Sequence, residues 1–261
     1  MRTALIFSLL VACLGCSEKK ESTFVQEQAI PLTQPRIQTT NQMIDSTVTI
    51  TADLRMEGVE LRYTSDGSEP TMASSLYYAP IVTDHPGTYS FRAFHPHWKP
   101  SETASITVYE KGHIPTRTAW QTQANAQYPG MGTGTLVNNT KASLSFRDKQ
   151  WVGFDTIASA TAYFENKPFI KKMTVSYLFD TKSWIFPPEK VMVSINEKDT
   201  ITMDIPLASE TDPAGLRDIG ISINQEVSSI KIQLYPTAQL PEWHPGKGNK
   251  AWLFMDEWIF N

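Results

Sequence analysis

Cysteine is the chain's first scarcity. Of 261 residues only 2 are cysteine, Cys13 and Cys16, both near the N-terminus. Everything beyond them has no disulfide framework and no thiolate set for a metal, so it folds on its core alone. Long apolar runs are missing too: the stretch Ala4–Gly15 falls short of the ~20 residues that a membrane-spanning helix needs. Positive charge is not in excess, with Lys+Arg 23 against Asp+Glu 27 and a net charge of -4, which argues against a nucleic-acid partner. No segment repeats convincingly at 3.6 residues. No glycine-rich phosphate loop, Gly-x-Ser-x-Gly elbow or ordered Ser/His/Asp set stands out. At 41% hydrophobic and 19% charged the body is that of a globular protein, not a disordered one.

The N-terminus has a recognisable grammar. Met1-Arg2 supplies a positive start, a short apolar run follows, and Cys16-Ser17-Glu18-Lys19-Lys20 closes it, which reads as a secretory signal. A small residue followed by cysteine at the end of that run resembles the lipobox of bacterial lipoproteins. The resemblance implies lipidation at Cys16, with the frame ending at Cys13 as the alternative. The chain is then a membrane-anchored lipoprotein of the cell envelope, tethered rather than spanning, at the outer membrane and facing either the periplasm or the surface. Residues 1–16 would be the signal peptide, and the aperiodic stretch 17–36 a flexible tether.

From residue 37 to 110 the chain alternates apolar and polar residues in short runs: Ser46–Ala52, Val59–Thr64, Thr88–His95 and Thr103–Val108. Such runs bounded by turn residues predict a small β-sandwich. Within Thr64–Thr71, Asp66-Gly67 offers positive φ and Pro70 blocks continuation of the ladder. Arg62–Thr71, Ser74–Tyr77, Ala79-Pro80-Ile81, Phe91–Phe94 and Pro100-Ser101 together resemble the immunoglobulin-like domain at the C-terminus of chitobiases and β-hexosaminidases. That implies a spacer or accessory domain.

After Glu110–His113 a second series of alternating runs begins: Lys172–Phe179, Lys190–Asn196, Thr200–Ile205 and Ser229–Tyr235. They predict a second antiparallel sandwich over residues 116–261, a jelly roll. Gly134–Asn139, Trp151–Phe154, Trp184–Val191, Leu240–His244 and Ala251–Glu257 occur in the order of a discoidin-like, coagulation factor 5/8 type C domain, and resemble those appended to bacterial β-N-acetylhexosaminidases. The fold class is then all-β, an immunoglobulin-like sandwich followed by a discoidin-like jelly-roll sandwich. The function implied is a non-catalytic carbohydrate-binding protein accessory to glycan capture or degradation, its glycan one that contains N-acetylhexosamine. The alternative is an interaction module that docks a partner hydrolase or surface complex.

The closing segment, Leu240–Asn261, gathers Trp243, His244, Trp252, Asp256, Glu257 and Trp258. As a strand, Ala251–Phe260 would put Trp252, Phe254, Asp256, Trp258 and Phe260 on one face and Leu253, Met255, Glu257 and Ile259 on the other. Hexosaminidases use a neighbouring Asp-Glu pair, but their barrel needs ~250 residues of alternating helix and strand, and on a regular strand the two carboxylates diverge. Asp256-Glu257 is therefore not expected to be catalytic. Sugar binding asks for an aromatic plate flanked by polar side chains. Trp184, Trp243 with His244, and Trp120 with Tyr128 are the candidates, whereas Trp151 and Trp252 belong to the core. The discoidin resemblance further implies a structural calcium held by Glu257 and the loop Asn138-Asn139, where the family usually carries aspartate followed by glycine.

Overall fold

A computed structural model of the chain describes residues 30–261. Cys13, Cys16, the expected signal segment 1–16 and the expected tether as far as residue 29 lie outside the described residues. Strands are nearly the only regular secondary structure among the described residues.

The first sandwich holds β1 (Arg36–Thr39), β2 (Met43–Ile44), β3 (Val48–Asp53), β4 (Glu60–Thr64), β5 (Ser75–Tyr77), β6 (Ile81–Thr83), β7 (Gly87–Phe94) and β8 (Ala104–Glu110). They form a three-stranded sheet, β1-β3-β6, and a five-stranded sheet, β2-β8-β7-β4-β5. Alternation explains the packing: Val48, Ile50 and Ala52 leave β3 on one side and meet Tyr89, Phe91 and Val108, while the intervening threonines face outward. Tyr63 stacks on Phe91 at 5.9 Å and Tyr77 meets the same ring edge-on at 5.5 Å. The Tyr77 hydroxyl, carried by one sheet, accepts the Ala52 N–H of the other at 3.1 Å. The Asp-Gly turn forms as its chemistry dictates, with Gly67 at φ 79° and Asp66 Oδ1 accepting the Ser68 N–H.

The tether expected over 17–36 is shorter at its distal end. Leu32 is buried, and Leu32 N–H and Lys99 N–H donate to Lys99 O and Ile30 O. Apolar Leu32 gives this stretch something to bury, which a polar linker lacks.

The second sandwich contains β9 (Arg117–Trp120), β10 (Val152–Phe154), β11 (Ala158–Tyr163), β12 (Phe169–Phe179), β13 (Pro188–Ile195), β14 (Asp199–Asp204), β15 (Gly215–Glu226), β16 (Ser229–Pro236) and β17 (Leu253–Phe260). The sheets run β10-β17-β12-β15 and β14-β13-β16-β11-β9, all antiparallel. Val191, Val193 and Ile195 of β13, and Ile230, Ile232 and Leu234 of β16, face Met173 and Val175 of β12 and Ile219, Ile221 and Ile223 of β15 across the core. The fold class read from the residues is the one observed.

β17 departs from regular alternation. Ser176 pairs with Glu257 while Tyr177 pairs with Met255, so Asp256 is the extra residue of a bulge. A bulge shifts the side chains beyond it by one position. Leu253 and Met255 before it and Trp258 and Phe260 after it therefore all enter the core, rather than Trp258 and Phe260 sharing a face with Phe254 and Asp256. The same shift turns Asp256 and Glu257, expected on opposite faces, toward one loop. They are 0% and 1% exposed.

Candidate functional site

The site grows from two loops at one end of the second sandwich. The first leaves β12 through a single turn at Thr181–Ser183 and reaches Trp184, whose backbone is left-handed at φ 65°. A tryptophan accepts that conformation at a cost, offset here by packing: its ring lies so close to Gly246 that a methyl there would come within 2.7 Å of it. Ile185 bridges Asp180 and Trp252, and Pro187-Pro188 lead into β13.

The second loop, between β16 and β17, closes on itself. Leu240 N–H donates to Asn249 O and Gly248 N–H to Leu240 O, while the Thr237 hydroxyl donates to Pro187 O of the first loop. His244 locks the two loops together. Its Nδ1 accepts the Gly246 N–H at 3.0 Å, so Nε2 carries the proton and donates to Thr181 O at 2.8 Å. A ring with both nitrogens engaged and 5% exposure is a structural bolt, not a sugar contact. In this respect His244 departs from its expected role.

Around that bolt the rings form a continuous cluster, with edge-on contacts to His244. Trp184 meets His244 at 5.9 Å, His244 meets Phe186 at 5.5 Å, and Phe186 lies beneath Trp243 at 6.0 Å and 31°. Phe186 is buried, Trp243 half-buried and Trp184 39% exposed. Beside Trp243 opens a cleft of about 460 Å³ lined by Phe186, Glu189, Leu207, Thr237, Gln239 and Trp243, among others. Glu189 Oε1 accepts the Ala238 N–H at 2.8 Å, which fixes that carboxylate at the rim. Leu207 is 79% exposed. An aromatic wall with a fixed carboxylate and an amide nearby can stack on the apolar face of a ring and hydrogen-bond its hydroxyls.

The structure brings together Trp184, Trp243 and His244, and separates them from the other two candidates. Trp120 stacks on Phe154 at 5.5 Å and donates its Nε1 hydrogen to Thr133 O. Tyr128 is wedged among Trp252, Phe254 and Phe146. Both serve the packing of the sandwich. Sequence reading missed Phe186, Glu189, Leu207 and Gln239. Nothing in the chain around Leu207 signals that the loop after β14 folds over Trp243.

The loop proposed to share calcium with Glu257 is held by hydrogen bonds instead. Glu257 Oε1 and Oε2 accept the backbone N–H groups of Asn139 and Thr140 at 3.1 and 3.2 Å. Asn138 exchanges hydrogen bonds with the Gln150 amide, and Asn139 Oδ1 accepts the Gly112 N–H. Calcium takes six to eight oxygens. Here each Glu257 oxygen faces the positive end of an amide, and the asparagine oxygens are already taken, so the residues present do not fit that ion. Burial pushes the Glu257 carboxyl up to about 8, against the pull of the Asn139 and Thr140 amides. Among the described residues no group of three or more His, Cys, Asp or Glu is placed to hold a metal.

With this geometry in hand, comparison with known proteins gives the following. Residues 39–107 match the chitobiase/beta-hexosaminidase C-terminal domain. That stretch thus resembles the C-terminal domain of those enzymes. No curated protein matches it. Among solved structures, a module of Clostridium perfringens, CpGH89CBM32-4, solved with GlcNAc-α-1,4-galactose, shares 12% identity over 57% of this chain and 91% of its own, with a TM-score of 0.35. The N-terminal domain of the single-strand break repair protein XRCC1 shares 11% over 58% and 97%, at 0.33. A SusE-like protein, BT2857, shares 10% over 87% and 95%, also at 0.33. A function has to come from the site rather than the fold.

Proposed function

We propose that this chain is a non-catalytic carbohydrate-binding protein, accessory to glycan capture or degradation, whose second sandwich takes a pyranose in the cleft beside Trp243. The observation that carries the reading is the half-buried Trp243 plate, backed by Phe186 and flanked by Glu189 and Gln239. A glycan containing N-acetylhexosamine is the ligand class, and the first sandwich is the spacer. The N-terminal cysteine, Cys16 or Cys13, anchors the chain by lipid to the cell envelope. Recognition proceeds without turnover: the one neighbouring acidic pair, Asp256-Glu257, is buried and bound by amides, so no glycosidic bond can reach it.

A glycan array probed with the purified protein tests the reading, followed by titration of the best ligand. An aromatic anchor of this kind is worth about 2 kcal/mol, so Trp243→Ala lowers affinity roughly thirtyfold. Leu207→Ser, at a surface position where folding is untouched, weakens it by a smaller factor. Absence of any glycan ligand, or an affinity indifferent to both changes, refutes the assignment. One observation favours docking of a partner hydrolase instead: Leu76, Tyr78 and Val82, on and between β5 and β6 of the first sandwich, are all exposed, Tyr78 to 89%. Retention of a secreted hydrolase that is lost in Tyr78→Ser would support it.

A further inference from the structure

The loop after Val137 and the bulge in β17 enclose a lysine that the glycan site does not use. Lys141 carries its ammonium into the protein, with a side chain only 2% exposed. A buried ammonium is tolerated only where counter-charge and acceptors replace its water. Three groups do so here. Lys141 Nζ lies 2.8 Å from the Asp256 carboxylate and donates to the Ser176 hydroxyl of β12. The ring of Tyr109 faces it at 5.0 Å, within the range of a cation–π contact. Tyr109 belongs to β8 of the first sandwich, and its hydroxyl donates to Asp218 Oδ2 of β15 at 2.9 Å. Asp256 Oδ2, itself 2.8 Å from Nζ, also accepts the Ala142 N–H at 2.9 Å.

We propose that the Lys141 ammonium is the built-in cation of this protein, neutralising Asp256 at the bulge and clamping Tyr109 of the first sandwich to β12, β15 and β17 of the second, so that neither the fold nor the joint between the sandwiches depends on a divalent ion. The acidic pair would otherwise invite a metal. Around Asp256 stand the Ala142 N–H and the Lys141 ammonium, both directing positive charge inward, which is the surrounding of a satisfied anion and not of a cation site. The joint has further fastenings at the same place. Gly112 N–H donates to Asn139 Oδ1, and His113 N–H to Phe260 O at 2.7 Å. The bulge is what makes this possible, since a regular strand would point Asp256 or Glu257 away from the loop.

Thermal unfolding of the full chain, with chelator and with millimolar calcium, provides the test. The wild-type midpoint is expected to be the same in both, and a midpoint that drops in chelator and returns with calcium overturns the proposal. Removing one partner of a buried pair strands the other, so Lys141→Met should lower the midpoint by about 10 °C. Adding Asp256→Asn should recover part of that loss. Tyr109→Leu keeps the pair but opens the clamp, and should split the single transition into two as the sandwiches unfold separately. An unchanged midpoint in Lys141→Met, or a single unshifted transition in Tyr109→Leu, overturns the role assigned to the ammonium. Glycan affinity plays no part in these readouts, so they stand or fall apart from the sugar site.

Discussion

Replacing Glu257 by glutamine should change how the stability of this protein depends on pH. The carboxyl is 1% exposed at the centre of β17, and burial lifts its pKa from 4.5 to about 8, with Asp256 pushing the same way and the Asn139 and Thr140 amides and Lys141 opposing. In that window the folded state binds more protons than the unfolded one. The stability associated with the group is therefore fully present below about 4.5 and is lost as the pH rises toward about 8. At ~1.4 kcal/mol per pH unit the whole window is worth at most about 5 kcal/mol, a large share of the 5–15 kcal/mol that holds a typical domain together. Glutamine keeps the shape and an acceptor for one amide but does not titrate. Denaturant unfolding of both proteins at pH 5, 6.5 and 8.5 isolates the effect, because every other titrating group is common to the two. The gap between wild type and Glu257→Gln should narrow or invert as the pH rises. A gap that stays constant from pH 5 to 8.5 refutes the reasoning.

Two further changes probe the packing. Gly112→Ala places a methyl 2.5 Å from the Phe260 backbone nitrogen and 2.9 Å from its oxygen; backbone cannot yield as a side chain would, so denaturant unfolding should show a loss of about 1–3 kcal/mol. His244→Ala strands Thr181 O and the Gly246 N–H and empties the middle of the aromatic cluster. It should lower the melting temperature and the glycan affinity together, whereas Leu207→Ser lowers affinity alone.

Much of the architecture was legible in the chain because strands advertise themselves by alternation. β3, β4, β13, β14 and β16 follow the apolar period almost residue for residue. Three strands of the second sandwich were passed over, the four-residue β9 among them. β11 is built of Ala158, Ala160 and Ala162 with serine and threonine between, residues too small to register as an apolar face, although they lie against the core. β15, the longest strand, does alternate through Ile219, Ile221 and Ile223, but Gly215, Asp218 and Gly220 disguise it. The site was legible only in part. Trp243 and Trp184 declare themselves as large aromatics among turn residues, while Glu189 and Leu207 acquire meaning only where separate loops meet.

Local chemistry in the sequence thus determined the all-β class, the two-sandwich order, the turns and the identity of the aromatic plate, because each of these depends on residues close together in the chain. The tertiary structure decided what became of the acidic pair. One inserted residue in β17 reverses the expected facing of Asp256 and Glu257 and delivers both to a loop more than a hundred positions away in the chain, with separations of 114 to 118. A pattern of period two cannot reveal its own interruption, since the bulge is defined only by the partner strand β12 against which it is measured.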